Sequence, residues 1–197
     1  MSDRLEDLND TPLADLTVDF GTRPTMPALP HATDDDRRAG RRLAAIHRMH
    51  LNDVGRIGIV LDRIEAGEAS GKDLTNTITS AEFAQNVRQF GALCGRECKV
   101  LNGHHDIEEY ALFPELAGKG NDALRAVVER LKEEHKVVHE LLVRLERAAM
   151  ALMFEVDQEK FNEARALFRQ LETVVQSHFG YEETQLEEAI GVYGIGV

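Results

Sequence analysis

The sequence predicts an all-α protein, an up-down-up-down four-helix bundle, on three observations. Four segments repeat apolar residues at alternating steps of three and four, the period of one helix face. Cap-like and turn-forming residues separate these segments, and no stretch reads as a strand. The chain's 197 residues, 43% hydrophobic and 29% charged, are enough for one sizeable core and have a globular balance.

Residues 1–33 hold four of the five prolines and many acids with no steady apolar period, so they read as an arm or disordered leader outside the core. Thr33 followed by Asp34, Asp35 and Asp36 marks a helix start, with a hydroxyl cap and carboxylates where the helix dipole favours them. The first helix is expected over about 34–67, its inward stripe running Leu43, His47, His50, Val54, Ile57, Leu61 and Ile64. Gly67, Ser70 and Gly71 close it, and Thr79 with Glu82 resembles a capping box opening the second, over about 80–113. That stripe is Phe83, Val87, Phe90, Cys94, Cys98, Leu101, His104 or His105, Glu108 and Leu112, and Pro114 is expected to end the helix.

Gly118, Gly120 and Asn121 make the next turn, and the third helix runs to about 153 through Leu124, Val128, Leu131, His135, His139 or Val138, Leu142 and Leu145. Asp157 caps the fourth, whose stripe is Phe161, Ala164, Phe168, Leu171, Val175, His178, Glu182 and Leu186. The bundle is thus expected over 34–190, with residues 191–197 as a tail. A weak repeat ties the second helix to the fourth: His104-x3-Glu108-Glu109-x2-Leu112 matches His178-x3-Glu182-Glu183-x2-Leu186.

Lys and Arg total 23 against 35 Asp and Glu, a net charge of −12 that would repel a nucleic-acid backbone or an anionic membrane. No apolar run approaches the roughly 20 residues of a membrane helix. The first ten residues, MSDRLEDLND, carry acids where a secretory signal has bases, so a cytoplasmic location with no membrane or nucleic-acid partner is expected. Cys94 and Cys98, one helical turn apart, are poorly placed for a disulfide and read as buried thiols.

Seven of the eight histidines fall in predicted helices. Positions i and i+4 share a helix face about 6 Å apart, so one rigid element can offer two ligands to a cation. His104 with Glu108, His135 with His139, and His178 with Glu182 are such pairs, and the first helix adds His47 and His50. Burying several imidazoles and two carboxylates in one bundle costs several kcal/mol for each uncompensated charge, which a metal ion resolves.

The pattern resembles the hemerythrin-like, or HHE cation-binding, family. It does so through His47, HHDIEEYALFP from His104 to Pro114, EEHKVVH from Glu133 to His139 and HFGYEETQL from His178 to Leu186. The resemblance covers about residues 36–190 and implies a four-helix bundle holding two non-haem iron ions, with carboxylate and oxo or hydroxo bridges. Its ligands, carried over position by position, would be His47, His104, Glu108, His135, His139, His178 and Glu182.

Two six-coordinate irons need about 12 positions. Five imidazoles, two bridging carboxylates and one bridging oxygen fill all but one. With His135, His139 and His178 completing one iron as in the family, the iron facing His47 and His104 is the open one, for dioxygen, peroxide or nitric oxide. His47 matches the family better than His50, which is then a neighbour of the site; ligation by both would fill the open position. His105 is expected at the edge of the site or as a supporting group behind the ligands, and Glu109 and Glu183 as solvent-facing or supporting carboxylates. Tyr110 and Tyr181 border the motifs and are expected at helix edges.

The leading expectation is a protein that binds or senses dioxygen or a related small oxidant. The alternatives are a di-iron oxidase or peroxide-dismuting enzyme, and iron storage or donation for iron–sulfur repair; a purely structural bundle is a third class.

Overall fold

The computed structural model describes residues 8–18, 21–69 and 81–196, with the backbone alone at 67–69 and 81–84. After a 3-10 turn at Leu13–Asp15 come α1 (Asp34–Ala69), α2 (Ala81–Ile107), a π-helical turn (Glu108–Leu112), α3 (Phe113–Lys119), α4 (Asp122–Phe154) and α5 (Gln158–Val192). No strand occurs among the described residues. The four long helices close a ring in which α1 packs on α2 and α5, and α4 packs on α2 and α5.

Every neighbouring pair is antiparallel, as the cross-helix contacts record. His50 and Asp53 of α1 face Glu97 and Arg96 of α2, whereas Arg41, His47 and Asp62 meet Glu187, Glu183 and Arg169 of α5. On α4, Glu134 meets His178 of α5, and the Leu142 carbonyl accepts from the Cys98 thiol of α2. This is the up-down-up-down arrangement that the helix periodicity predicts.

Two of the expected caps, at Thr33 and Asp157, are formed, and Asn121, expected only as a turn residue, caps a third helix start. Thr33 and Asp36 cap reciprocally, the Asp36 amide donating to Thr33 Oγ1 (3.2 Å) and the Thr33 amide to Asp36 Oδ2 (2.8 Å). Asn121 accepts from the Leu124 amide and Asp157 from that of Lys160. Ser70, Gly71, the Thr79–Glu82 capping box and the side chain of Phe83 lie outside the described residues.

Two expectations differ from the structure for identifiable reasons. Pro114 does not end the second helix: the path stays helical to Lys119, and Gly120 is the residue that turns extended. A proline in a helix lacks an N–H and crowds the carbonyl four residues back. The turn before it has widened, with the Phe113 amide bonding the Glu108 carbonyl five residues back, and this accommodates the ring.

The arm, expected outside the core, lies against the bundle over its described part. Leu16 and Val18 are buried in the core. Arg144 donates to the carbonyls of Leu8, Asn9 and Thr11, and Gln170 to that of Leu16. Further along, the Met26 and Leu29 amides donate to Gln185 and Glu188 of α5. Outside its 3-10 turn, several of the arm's amides and carbonyls thus find side-chain partners on α4 and α5.

Buried apolar residues form two clusters. The larger takes Val54–Ile64 of α1, Val87–Leu101 of α2, Val138–Leu152 of α4 and Phe161–Phe179 of α5. The smaller takes Leu43, Leu112–Leu116, Leu124–Leu131 and Tyr181–Ile195. Between them lies a layer of buried His and Glu side chains, which positions the candidate site.

Helices α1 and α5 approach closely at the smaller cluster, where a carbon added to Gly40 would collide with the Glu187 carbonyl and one on Gly191 with that of Asp36. Gly40→Ala is therefore expected to destabilise the fold by about 1–3 kcal/mol through overpacking. Gly55→Ala, whose added carbon meets nothing within 4 Å, should stabilise it by about 0.5–1 kcal/mol. Thermal unfolding of both variants tests the pair, and equal melting temperatures would contradict the close approach.

Candidate metal centre

The polar layer draws on all four long helices because antiparallel packing brings His47, the 104–109 segment, His135 and the 178–183 segment to one height. Donor atoms converge in three groups, each with all atoms within 4.8 Å of one another: His47, His104 and Glu108; Glu108, His135 and Glu182; and His105, His135 and His178. Six of the seven residues expected as ligands are therefore brought together. His139, the seventh, is only partly buried and its ring centroid lies 6.0 Å from that of His105, outside these groups.

His105 replaces the expectation of an edge or supporting residue. It is 1% exposed and its ring stacks on that of His135 at 4.0 Å. Successive helical residues point about a hundred degrees apart, but here α4 and α5 close on the second direction as α1 closes on the first, so both His104 and His105 face the interior. His47 enters the converging group; His50, also buried, lies beside it, 4.8 Å ring to ring from His104 and 3.4 Å through Nδ1 from Glu97 Oε1.

Glu108 spans the layer. Its Oε1 lies 3.0 Å from His104 Nε2 and 3.7 Å from His47 Nε2, while Oε2 lies 3.5 Å from His135 Nε2. Glu182 Oε2 stands 3.5 Å from His47 Nε2 and 3.7 Å from His178 Nε2. Two clusters result, His47 with His104 at one pole and His105, His135 and His178 at the other, with the two carboxylates between them.

Carboxylates also hold the outer nitrogens. His47 Nδ1 lies 3.0 Å from Glu183 Oε1, His135 Nδ1 3.1 Å from Glu109 Oε1, and His178 Nδ1 3.1 Å from Glu134 Oε2. An Nδ1–H donated outward leaves the Nε2 lone pair facing the layer, the tautomer a metal ligand needs. The supporting role left open for Glu109 and Glu183 is thus the one they occupy. Glu134 escaped the sequence reading; its signal was its place beside His135 in the Glu-Glu-His run.

The donor set fits a metal ion. Among the described residues, Nε2 of His47, His104 and His178, both oxygens of Glu108 and Glu182, and both nitrogens of His105 are buried with no hydrogen-bond partner. Such groups cost free energy unless satisfied. Imidazole with carboxylate suits iron, zinc or manganese, and donors of an octahedral ion at about 2.1 Å stand about 3 Å apart, close to the spacing here.

Without a cation, the same crowding shifts the titrations. Burial, reinforced by neighbouring imidazoles, pushes His47 down to about 2 and His104 to about 3. His105 lies well below its ordinary value for the same reasons. Burial and the adjacent carboxylate hold Glu108 well above its usual range, and burial pushes Glu182 up to about 8.

Beside the two-imidazole pole, a cavity of about 990 Å³ opens between α1 and α2. Leu43, Ile46, Met49, Val100 and Ile107 form much of its wall, and His50, His104 and Glu108 reach it from inside. Tyr110 is exposed at this cavity, whereas the buried Tyr181 donates its hydroxyl to the Pro24 carbonyl at 2.7 Å. Cys94 and Cys98 are free buried thiols in the larger apolar cluster, as expected, and burial pushes Cys98 up to about 12.

The model of the hemerythrin HHE cation-binding domain matches residues 38–190, more than three quarters of the sequence, and the chain belongs to that family. The family binds metal cations, commonly iron, in keeping with the His and Glu clusters. No curated protein and no solved structure matches the chain. No helix among the described residues is long and apolar enough to cross a membrane.

The raised carboxylates give cation binding a pH dependence. In the metal-free protein, Glu182 favours folding fully below about 4.5, its ordinary value, and loses that contribution as pH rises through about 8. Because binding a cation requires the ionised form, protons compete with it across that window while His47 and His104 are already neutral. Affinity for a divalent cation should therefore rise by about an order of magnitude or more from pH 6 to pH 8. Chelator competition at the two pH values measures this; a flat profile would contradict ligation by the raised carboxylates.

Proposed function

We propose that this protein is a non-haem di-iron protein that binds or senses dioxygen or a related small oxidant, peroxide or nitric oxide. The observation that carries the reading is Glu108, whose two oxygens face different poles, Oε1 toward His47 and His104 and Oε2 toward His135. A carboxylate between two imidazole clusters is suited to bridging a pair of ions. Irons bound there would supply the electrons for reversible chemistry with an oxidant.

The chain's own residues set the terms. His105, His135 and His178 give one pole three imidazoles, and His47 and His104 give the other two, so the second pole is the one with room for an exogenous ligand. Leu43, Ile46 and Met49 provide an apolar approach to it, which favours small uncharged molecules such as dioxygen and nitric oxide. The outward carboxylates Glu183, Glu109 and Glu134 orient His47, His135 and His178 by accepting hydrogen bonds from their Nδ1–H groups. Phe179 stacks on the His47 ring at 3.9 Å and shields it from water.

The ligand set this geometry supports is His47, His104, His105, Glu108, His135, His178 and Glu182, with His105 in the role the family resemblance gives to His139. Anaerobic reconstitution with ferrous iron should load two irons per chain, and oxygen should bring up a charge-transfer band that fades when it is removed. Irreversible oxidation with steady peroxide consumption would assign the oxidase or dismutase reading instead. His105→Ala should lower the iron content, and His139→Ala should keep both irons. The opposite result would return the ligand role to His139.

A further inference from the structure

We propose that Arg23, on the N-terminal arm, is a positioning residue of the metal centre that acts through Glu134 on His178. Its guanidinium grips Glu134 with two hydrogen bonds of 2.7 Å, Nε to Oε1 and Nη2 to Oε2. The Arg23 side chain is 9% exposed and that of Glu134 2%. Nη1 donates to Ser177 Oγ at 3.0 Å, and the guanidinium lies 4.5 Å from the centre of the Tyr181 ring. Glu134 Oε2 in turn stands 3.1 Å from His178 Nδ1. A continuous chain of contacts thus runs from the arm to an inward-facing imidazole.

A forked guanidinium on a carboxylate fixes the carboxylate's plane as well as its charge. With both oxygens held, Glu134 presents Oε2 to His178 in one orientation. The imidazole is thereby kept with its proton on Nδ1 and its Nε2 lone pair toward Glu182, 3.7 Å away. Without Arg23, a buried carboxylate would be left with fewer partners and freedom to rotate, and His178 would lose its fixed tautomer. Partners of this kind typically contribute 10- to 100-fold in metal affinity. The arm would then be part of the centre, although it supplies no ligand.

The inference rests on the proposed ligand role of His178, and cobalt(II) titration of the full-length chain separates the two. Cobalt(II) absorption reports ligand geometry, and competition with a chelator reports affinity. His178→Ala should weaken binding of one ion and change the spectrum; if it does neither, the ligand reading fails. Given that control, Arg23→Met should weaken one of the two ions about tenfold and shift its absorption. Arg23→Lys, which keeps the charge and loses the fork, should recover part of the loss.

Gln185→Ala removes the side chain that receives the Met26 amide and leaves Arg23 in place, so it should change neither affinity nor spectrum. If Arg23→Met does not fold, Arg23→Lys alone carries the comparison and should still show weaker binding than the unaltered chain. Unchanged affinity and spectrum in a folded Arg23 variant would overturn the proposal, as would an equal loss in Gln185→Ala, which would assign the effect to attachment of the arm.

Discussion

A buried layer of imidazoles and carboxylates, set between two apolar clusters, is the constraint on which the rest of the structure depends. Such a layer is unfavourable in a core unless each polar atom is satisfied. Outward-facing nitrogens of His47, His135 and His178 are satisfied by Glu183, Glu109 and Glu134. The inward atoms of His47, His104, His178, Glu108 and Glu182 find no hydrogen-bond partner among the described residues. Family membership and the burial pattern therefore meet in one physical requirement, a cation at the centre of the layer.

The layer is asymmetric, and the asymmetry follows from the second helix. His104 and His105 are neighbours on α2 that face different partners, one α1 and the other α4 and α5. One helix thereby supplies an imidazole to each pole, while Glu108 reaches both. The widened turn beginning at Glu108 passes the chain over Pro114 and continues it into α3, where Phe113 and Leu116 cover the layer from the smaller apolar cluster. Phe113 also stacks near His135, with ring centroids 5.4 Å apart.

Placement of the remaining reactive groups limits what can take part in chemistry. The thiols of Cys94 and Cys98 sit within the larger apolar cluster, where burial favours the protonated form, and they act as small hydrophobes. Tyr181 is engaged by the arm, with Arg23 over its ring and the Pro24 carbonyl on its hydroxyl. The open approach instead comes from the α1–α2 side, so access and the arm lie on different faces of the bundle.

The sequence by itself determined the four helices, two of their caps and the inward stripes, because these depend on periodicity and on contacts within a few residues. The i and i+4 spacing also marked His104, Glu108, His135, His178 and Glu182, since such positions share a face of any helix, and the family resemblance singled out His47. Only the tertiary structure decided that His105 enters the layer and that His139 stays outside the converging groups, because a residue's partners on other helices depend on how those helices are rotated and stacked. The same holds for Glu134 and Arg23: they are 111 residues apart in the chain, and no local pattern marks a proline-rich arm as the holder of a carboxylate behind a candidate metal ligand.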